Sequence, residues 1–306
     1  MIIKLLIAAV IAGTPLLLGA LGEILTEKSG NINLGVEGEM FMGAIGGIAA
    51  AFFYNHSGGD IGIVSVLLAL VFSFLFGALG ALIYSFLVIT LRANQNVTGL
   101  ILTIFGTGFG NFFGDYIPKS TGATLVVSDT TKAMFGDIGP FNWMVYFAIV
   151  IAVIMAWLFQ KSRIGLNLRA VGESPATADA AGINVTRYKY IATLIGGGLC
   201  GIGGMYISMV SQHGNWVIDC VNGYGWLAVA LVIFAAWSPS RALWVAVVFG
   251  GLKIMRLYVQ LPIPSQFYDM APYIVTIIVL IITSTTGSKE HSQPKGCGYN
   301  YFREER

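Results

Sequence analysis

The chain has 306 residues, of which 56% are hydrophobic and only 10% are charged, and its formal net charge is +2. A soluble domain usually carries about a quarter charged residues, so this composition predicts a protein that crosses a membrane several times. The small net charge does not indicate nucleic acid as a partner. The three cysteines have no C-x-x-C spacing, which disfavours both a disulfide framework and a metal site.

Nine segments are apolar enough to be considered as membrane spans, for which about 20 residues are needed. They are residues 5–21, 34–54, 61–91, 97–114, 143–159, 191–210, 224–237, 242–259 and 272–286. We therefore expect an all-α polytopic membrane protein with about nine transmembrane helices, in a range of about eight to ten. The second segment is rich in glycine and begins with two glutamates, so we expect it to be broken, re-entrant or buried within protein.

One long polar stretch, residues 160–190, interrupts the apolar sequence and contains five of the 17 lysines and arginines. Within it, Ser174 can cap a helix with Pro175 at its first position and Gly182 at its end, which predicts a helix over 175–181. A helix this short needs another surface to stabilise it. Because basic loops face the cytoplasm, this loop and the C-terminus are predicted to be cytoplasmic. Counting the spans then places the N-terminus outside, although Lys4 favours the opposite.

Polar side chains follow one face of the fourth span. Asn96, Thr103, Thr107 and Asn111 recur at spacings of seven, four and four residues. Uncharged donors and acceptors suit a neutral polar substrate such as a sugar or nucleoside, so these residues are candidates for a substrate pathway. They could equally form hydrogen bonds to neighbouring helices.

The segment SGNINLGVEGEM at 29–40 places two carboxylates at the mouth of the second span, where charged groups are costly. Glu37 and Glu39 would point about 200° apart on a helix, so they cannot share one proton. Carboxylates in a first helical turn can satisfy free N–H groups, which favours a structural role, with gating or a subunit contact as the alternative. The residues assigned to this motif are Asn33, Gly35, Glu37 and Gly38.

No catalytic residue is predicted, because the sequence contains no Ser/His/Asp, HExxH or paired-carboxylate constellation. No metal site is predicted either. The phosphate-binding motif G-x-x-x-x-G-K-[ST] is also absent, so the chain has no nucleotidase site of this type.

Three segments together resemble a known family: GEILTEKSGNINLGVEGEMFMGA at 22–44, NQNVTGLILTIFGTG at 94–108 and RIGLNLRAVGESPATADAAGINVTRYKY at 163–190. They are similar to the permease subunits of type II ABC importers, in the branched-chain amino acid, ribose and nucleoside group. The nucleoside permeases are the most similar of these. One departure is Tyr224 in NGYGWLA, since relatives commonly carry a basic residue between those glycines.

The resemblance implies a subunit that forms half of a translocation pore. Its partners would be a second homologous permease chain, ABC ATPase subunits and an extracytoplasmic substrate-binding protein, often a lipoprotein. The chain would bind no cofactor itself, and the ATPase subunits would use ATP and magnesium. The helix over 175–181 would be the coupling helix that docks on an ATPase, with Gly172, Glu173, Ser174, Pro175, Ala178, Asp179 and Gly182 as the coupling residues.

Residues 1–287 would then form the transmembrane permease domain, and residues 288–306 a flexible cytoplasmic tail. We expect the protein in the cytoplasmic or inner membrane. Nucleosides are the first expectation for the substrate, with ribose-like sugars or branched-chain amino acids as alternatives. A stand-alone secondary transporter or channel is an alternative of another class. Such proteins usually need an ion site at the midplane, whereas almost every charge here lies at a span end.

Overall fold

The computed structural model describes residues 2–258, 264–286 and 293–302. These residues form twelve α-helices and one short antiparallel hairpin, in which Asp137 pairs with Asn142 and Ile138 with Phe141. The helices are α1 (Ile2–Lys28), α2 (Val36–His56), α3 (Gly62–Ser85), α4 (Gln95–Thr121), α5 (Asp129–Met134), α6 (Trp143–Lys161), α7 (Arg163–Glu173), α8 (Pro175–Ala180), α9 (Val185–Tyr206), α10 (Tyr224–Phe234), α11 (Pro239–Tyr258) and α12 (Ser265–Thr286). The strands β1 (Asp137–Ile138) and β2 (Phe141–Asn142) lie between α5 and α6. Helices α3 and α9 each continue into a π-helical turn, Phe86–Thr90 and Ile207–Ser211.

The all-α polytopic class is confirmed, because six helices of the described residues are long and apolar enough to cross a membrane. They are α1, α2, α3, α4, α6 and α9. The exact count of nine spans is not confirmed by the described residues. The seventh predicted segment forms only the 11-residue helix α10, and the last two correspond to α11 and α12, of 20 and 22 residues.

We name the two ends of the helix bundle by the loops that they carry: the basic end carries residues 160–190, and the far end carries residues 115–141. Helix α1 ends at the basic end, where Gly172 packs against the backbone carbonyl of Lys28. Its first half reaches the far end, where the Tyr206 hydroxyl donates to the carbonyl of Ile11 at 3.1 Å. The N-terminus and the basic loop therefore lie at opposite ends, as the count of spans predicts.

Helix α2 is one continuous helix, so the expectation of a broken or re-entrant second segment is wrong, whereas burial within protein is confirmed. Fifteen of its 21 residues are buried. Its glycines do not interrupt the helix; they let neighbouring backbones approach, Gly38 meeting Gly106 of α4 and Gly43 meeting Gly201 of α9. Close backbone contact of this kind is how membrane helices gain dispersion energy.

The C-terminal residues 293–302 pack at the basic end of the bundle. Pro294, Gly296 and Cys297 are buried there. Sequence analysis predicts a flexible tail from residue 288 onward, because the segment is short, polar and mixed in charge. In the structure, its described part instead contacts α1, α4, α7 and α8 through hydrogen bonds.

Candidate functional site: the coupling loop and the translocation pathway

Helix α8 (Pro175–Ala180) lies where the sequence predicts it and ends one residue earlier. Its N-terminus is capped by Ser174, whose Oγ accepts a hydrogen bond from the backbone N–H of Thr177 at 3.4 Å. Pro175 occupies the first helical position, where its missing N–H costs no hydrogen bond. The start of this helix is therefore determined locally.

The C-terminal end of α8 is closed by a Schellman motif. Gly182 has a φ of +84°, and its N–H donates to the carbonyl of Asp179 at 2.9 Å. The N–H of Ile183 donates to the carbonyl of Ala178 at 3.0 Å. These two bonds are the pair that defines the motif, and the positive φ explains the glycine. The shape of α8 thus follows from its own residues.

One side of α8 rests on the protein and the other faces outward. Ala178 is only 2% exposed and packs in a small apolar cluster with Val171 and Val185. The outward positions carry small side chains or none: Ala176, Thr177, Ala180, Ala181 and Gly182. A protruding helix with small outward residues is a suitable contact surface for another protein.

Helix α7 precedes α8, and sequence analysis missed it. Ser162 caps it, its Oγ accepting from the N–H of Gly165 at 3.0 Å. Gly165 packs against the end of α6, and Leu168 is buried. Ser162 as a cap, followed by apolar residues at helical spacing, was the signal available in the sequence. Through α7, the two helices of the loop are fixed to the bundle.

The residues before α2 form a buried polar network. The side-chain amide of Asn33 donates to Glu39 Oε1 at 2.7 Å, and its backbone N–H donates to Glu23 Oε1 at 3.0 Å. Asn33 Oδ1 accepts from the N–H of Gly35 at 2.9 Å. The two carboxylates are at most 1% exposed, so Asn33 compensates part of the cost of burying them. Asn33 thus links the segment before α2 to Glu23 of α1 and to Glu39 of α2.

Glu37 caps a helix, but not its own. Its carboxylate accepts the N–H of Gly223 at 2.9 Å and the N–H of Trp226 at 3.3 Å, at the start of α10. Gly225 is required there, since a side chain would collide with the backbone of Glu37. The neighbouring Gly38 packs on α4 some seven to eleven residues from its start, about 10 to 17 Å along that helix. Helix α10 therefore begins inside the bundle.

The chain before α10 enters the bundle from the far end. In segment 212–223, Gly214 lies at the far end and its carbonyl accepts from the N–H of Val127 at 3.0 Å. Helix α10 then covers about 16 Å toward the basic end, where the Trp237 indole donates to Glu27. Irregular backbone at membrane depth occurs where it is buried in protein or lines a water-filled cavity. The segment with irregular backbone at membrane depth is therefore 212–223, and not α2.

The polar face of α4 is only partly used within the chain. The hydroxyl of Thr103 donates to the carbonyl of Leu34 at 2.9 Å, which is a helix contact. The side-chain amide of Asn111 donates to the Asp219 carboxylate at 2.7 Å. In return, Asn111 Oδ1 accepts from the backbone N–H of Asp219 at 3.2 Å. Asn96 is exposed, and Thr107 is partly exposed. The four residues share one face, but two of them bond to different neighbours.

Two charged residues were not singled out as pathway candidates by sequence analysis. Asp219 is exposed in the segment that leads to α10, and its carboxylate reaches α4. Lys253 of α11 places its Nζ 2.7 Å from the centre of the Tyr224 ring. The aromatic residue Tyr224, which departs from the basic residue expected at this position, thus contacts the basic side chain of Lys253. Neither contact has a local signal in the sequence.

Residues 5–282 match the family described as "Branched-chain amino acid transport system / permease component". Within the described residues, the match includes α2, α3, α4, α6 and α9 in full and α1 from residue 5 of the chain onward. The chain belongs to this permease family. The resemblance in the three sequence segments is therefore confirmed, and the protein is a permease subunit of an ABC importer.

Three relatives show how far the similarity of the permease extends. A putative glucose ABC transporter permease of Haloferax volcanii is 36% identical over 84% of this chain and 78% of its own length. The nucleoside ABC transporter permease protein NupC of Lactococcus lactis is 31% identical over 96% of this chain and 95% of its own. The guanosine ABC transporter permease protein NupQ of Bacillus subtilis is 31% identical over 98% and 96%.

Proposed function

We propose that this permease carries nucleosides, forming half of a pore whose other half is a second, homologous permease chain. Cytoplasmic ATPase subunits would hold ATP and magnesium and dock on α8, and an extracytoplasmic binding protein would deliver the substrate. The docking of ATPase subunits is proposed from one observation: α8 is capped at both ends, faces outward and belongs to a loop that is fixed to the bundle. A short exposed helix that is fixed to the bundle suits a partner that docks on it and moves it.

Movement of α8 can reach the bundle by two routes within the chain. Helix α7 is joined to α8, and Gly172 at its end lies against the carbonyl of Lys28 at the end of α1. Ala178 lies in one apolar cluster with Val185, the first residue of α9. Helices α1 and α9 pack on α2, so a displacement of α8 would be felt in the buried centre of the permease.

Helix α4 is the best candidate to line the pathway. Its most apolar stretch of 18 residues has a mean hydropathy of 1.4 and is only 33% buried, whereas α3 is equally exposed at a mean hydropathy of 2.7. A helix that is exposed but less apolar meets water or a partner more favourably than lipid. We therefore retain Asn96, Thr107 and Asn111 as pathway residues and add Asp219.

Nucleosides are favoured over other substrates by the comparison with known proteins. The two relatives named for nucleosides or guanosine match nearly the whole chain. A sugar remains the second candidate, because the relative named for glucose has the higher identity, 36%.

The substrate is tested by reconstituting the permease with its partner permease, ATPases and binding protein in liposomes. We expect ATP-dependent uptake of labelled guanosine, and none of ribose, glucose or leucine. Uptake of glucose or ribose without guanosine would assign a sugar and reject the nucleoside proposal. Uptake by the purified chain alone, driven by a sodium or proton gradient, would reject the ATP-driven mechanism.

The docking role of α8 is tested by Gly182→Pro and Pro175→Asp. Proline cannot adopt the positive φ of Gly182, and Asp at position 175 places a new negative charge at the start of α8, so both variants should abolish uptake while the chain stays in the membrane. Gly58→Pro is the matched control, because Gly58 has a φ of +88°, is exposed and lies next to the C-terminal end of α2, away from the basic loop. Normal uptake in both α8 variants would contradict the docking assignment.

A further inference from the structure

The described part of the C-terminal tail, residues 293–302, contacts three regions that are far apart in sequence. The first is the coupling loop. The N–H of Gly296 donates to the carbonyl of Gly172 at 2.8 Å, and the hydroxyl of Tyr301 donates to Asp179 Oδ2 at 2.7 Å. Asp179 belongs to α8, so the tail is bonded directly to the coupling helix.

The second region is the turn between α3 and α4. Asn300 donates its side-chain amide to the carbonyl of Arg92 at 2.6 Å, and the Arg92 guanidinium lies 4.5 Å from the centre of the Phe302 ring. Gln95, at the start of α4, donates to the carbonyl of Tyr299 at 3.4 Å. These three interactions, from Tyr299, Asn300 and Phe302, fix the end of the tail to the start of α4 and the turn before it.

The third region is the end of α1. Cys297 is 7% exposed, and its thiol lies 3.7 Å from the carbonyl of Glu27. Gln293 reaches the Glu27 carboxylate at 3.5 Å. At Gly296, the space for a side chain is taken by the Gly172 carbonyl and the Pro175 ring, so the tail passes close beneath the first turn of α8. The tail therefore contacts both the end of α1 and the first turn of α8.

We propose that residues 293–302 are a strap that holds α8 against α1 and the α3–α4 turn, with Tyr301 as the residue that positions Asp179. Helix α8 has only six residues and cannot keep its orientation by itself. The bond from Tyr301 to a carboxylate is charge-assisted and stronger than a neutral one. Its ring also packs on the cluster that contains Ala178. Displacement of α8 would thereby reach α4 as well as α1 and α9.

Release of the strap can be measured directly, because Cys297 reports on it. Burial raises the pKa of the Cys297 thiol, so the docked tail should react slowly with a maleimide. The test treats inside-out membrane vesicles containing the full chain with N-ethylmaleimide and follows the Cys297 peptide by mass spectrometry. We expect slow labelling in the unaltered chain, and labelling about tenfold to hundredfold faster in Tyr301→Phe, which loses one hydrogen bond to a charged group.

Two further variants separate the strap from general unfolding. Tyr299→Phe is the matched control, because the Tyr299 side chain is 73% exposed, and its labelling should equal that of the unaltered chain. Asn300→Ala removes the contact to the α3–α4 turn and should accelerate labelling to a similar extent as Tyr301→Phe. Labelling of Cys297 at the rate of a free thiol in the unaltered chain, or no acceleration in either variant, would overturn the proposal.

The effect on coupling rests on the proposed function and is measured separately. In the reconstituted complex, Tyr301→Phe should lower the amount of substrate moved per ATP hydrolysed, while ATP hydrolysis continues. Faster labelling with an unchanged transport ratio would show that the strap docks but does not transmit movement, and would reject its coupling role. Absence of uptake in the unaltered complex would instead contradict the proposed function and leave the labelling result intact.

Discussion

Helices α2 and α3 follow each other in the chain but meet different surroundings. The most apolar stretch of α2 has a mean hydropathy of 1.3 and is 83% buried, whereas that of α3 has a mean hydropathy of 2.7 and is 33% buried. In a soluble protein the more apolar helix would be the buried one. Here the solvent is lipid, so apolar side chains also face outward, and the interior adds glycines and buried polar groups to its apolar core.

The largest effect that tests this contrast should come from a glycine of the interior. At Gly106 a side chain would collide with the backbone of Gly38, whereas at Gly108, two residues further on α4, it meets nothing within 4 Å. We expect Gly106→Val to lower the free energy of unfolding by about 3 kcal/mol, and Gly108→Val to leave it nearly unchanged. The measurement is unfolding in mixed detergent micelles, followed by tryptophan fluorescence. Equal losses of stability in the two variants would show that the close contact between Gly106 and Gly38 is not the cause of the loss.

The polar groups of the interior should give the next largest effect. Asn33→Ala removes the donor to Glu39 and leaves that carboxylate, which is fully buried, without this partner. An unsatisfied buried group costs roughly 1–3 kcal/mol, so we expect a loss of about 2 kcal/mol in the same unfolding measurement. Asn96→Ala is the control, since Asn96 is exposed on α4. A loss below that of the control would mean that the network contributes little to stability.

Features with local causes could be predicted from the sequence. Helix α8 was found because Ser174, Pro175 and Gly182 each determine the conformation of their own neighbours in the chain. The family could be recognised for the same reason, since its loop motif is continuous. The end of α8 differs by one residue, which is the usual uncertainty of a helix boundary.

Features with distant causes could not be predicted. The sequence predicts that Glu37 favours the start of its own helix, but it accepts from the N–H of Gly223, the residue before α10, which lies 186 residues later. The tail contact between Tyr301 and Asp179 spans 122 residues. In both cases the partner depends on how the helices pack, and no periodicity or capping signal carries that information. The short helix α10 was expected to be a full span because hydropathy does not show where a chain turns inward.

Helix α4 departs from the rule that distinguishes α2 from α3, since it is exposed like α3 but nearly as polar as α2. If its exposed face meets an aqueous pathway, Ile104→Asn should lower the free energy of unfolding by less than about 0.5 kcal/mol. Leu75→Asn on the lipid-facing side of α3 should cost about 1 kcal/mol or more. Ile104 is 74% exposed and Leu75 is 52% exposed, so both side chains lie on the outside of the chain. A smaller loss in Ile104→Asn would therefore not be due to deeper burial of Ile104. Equal losses in a lipid bilayer would place the α4 face against lipid and remove it from the pathway.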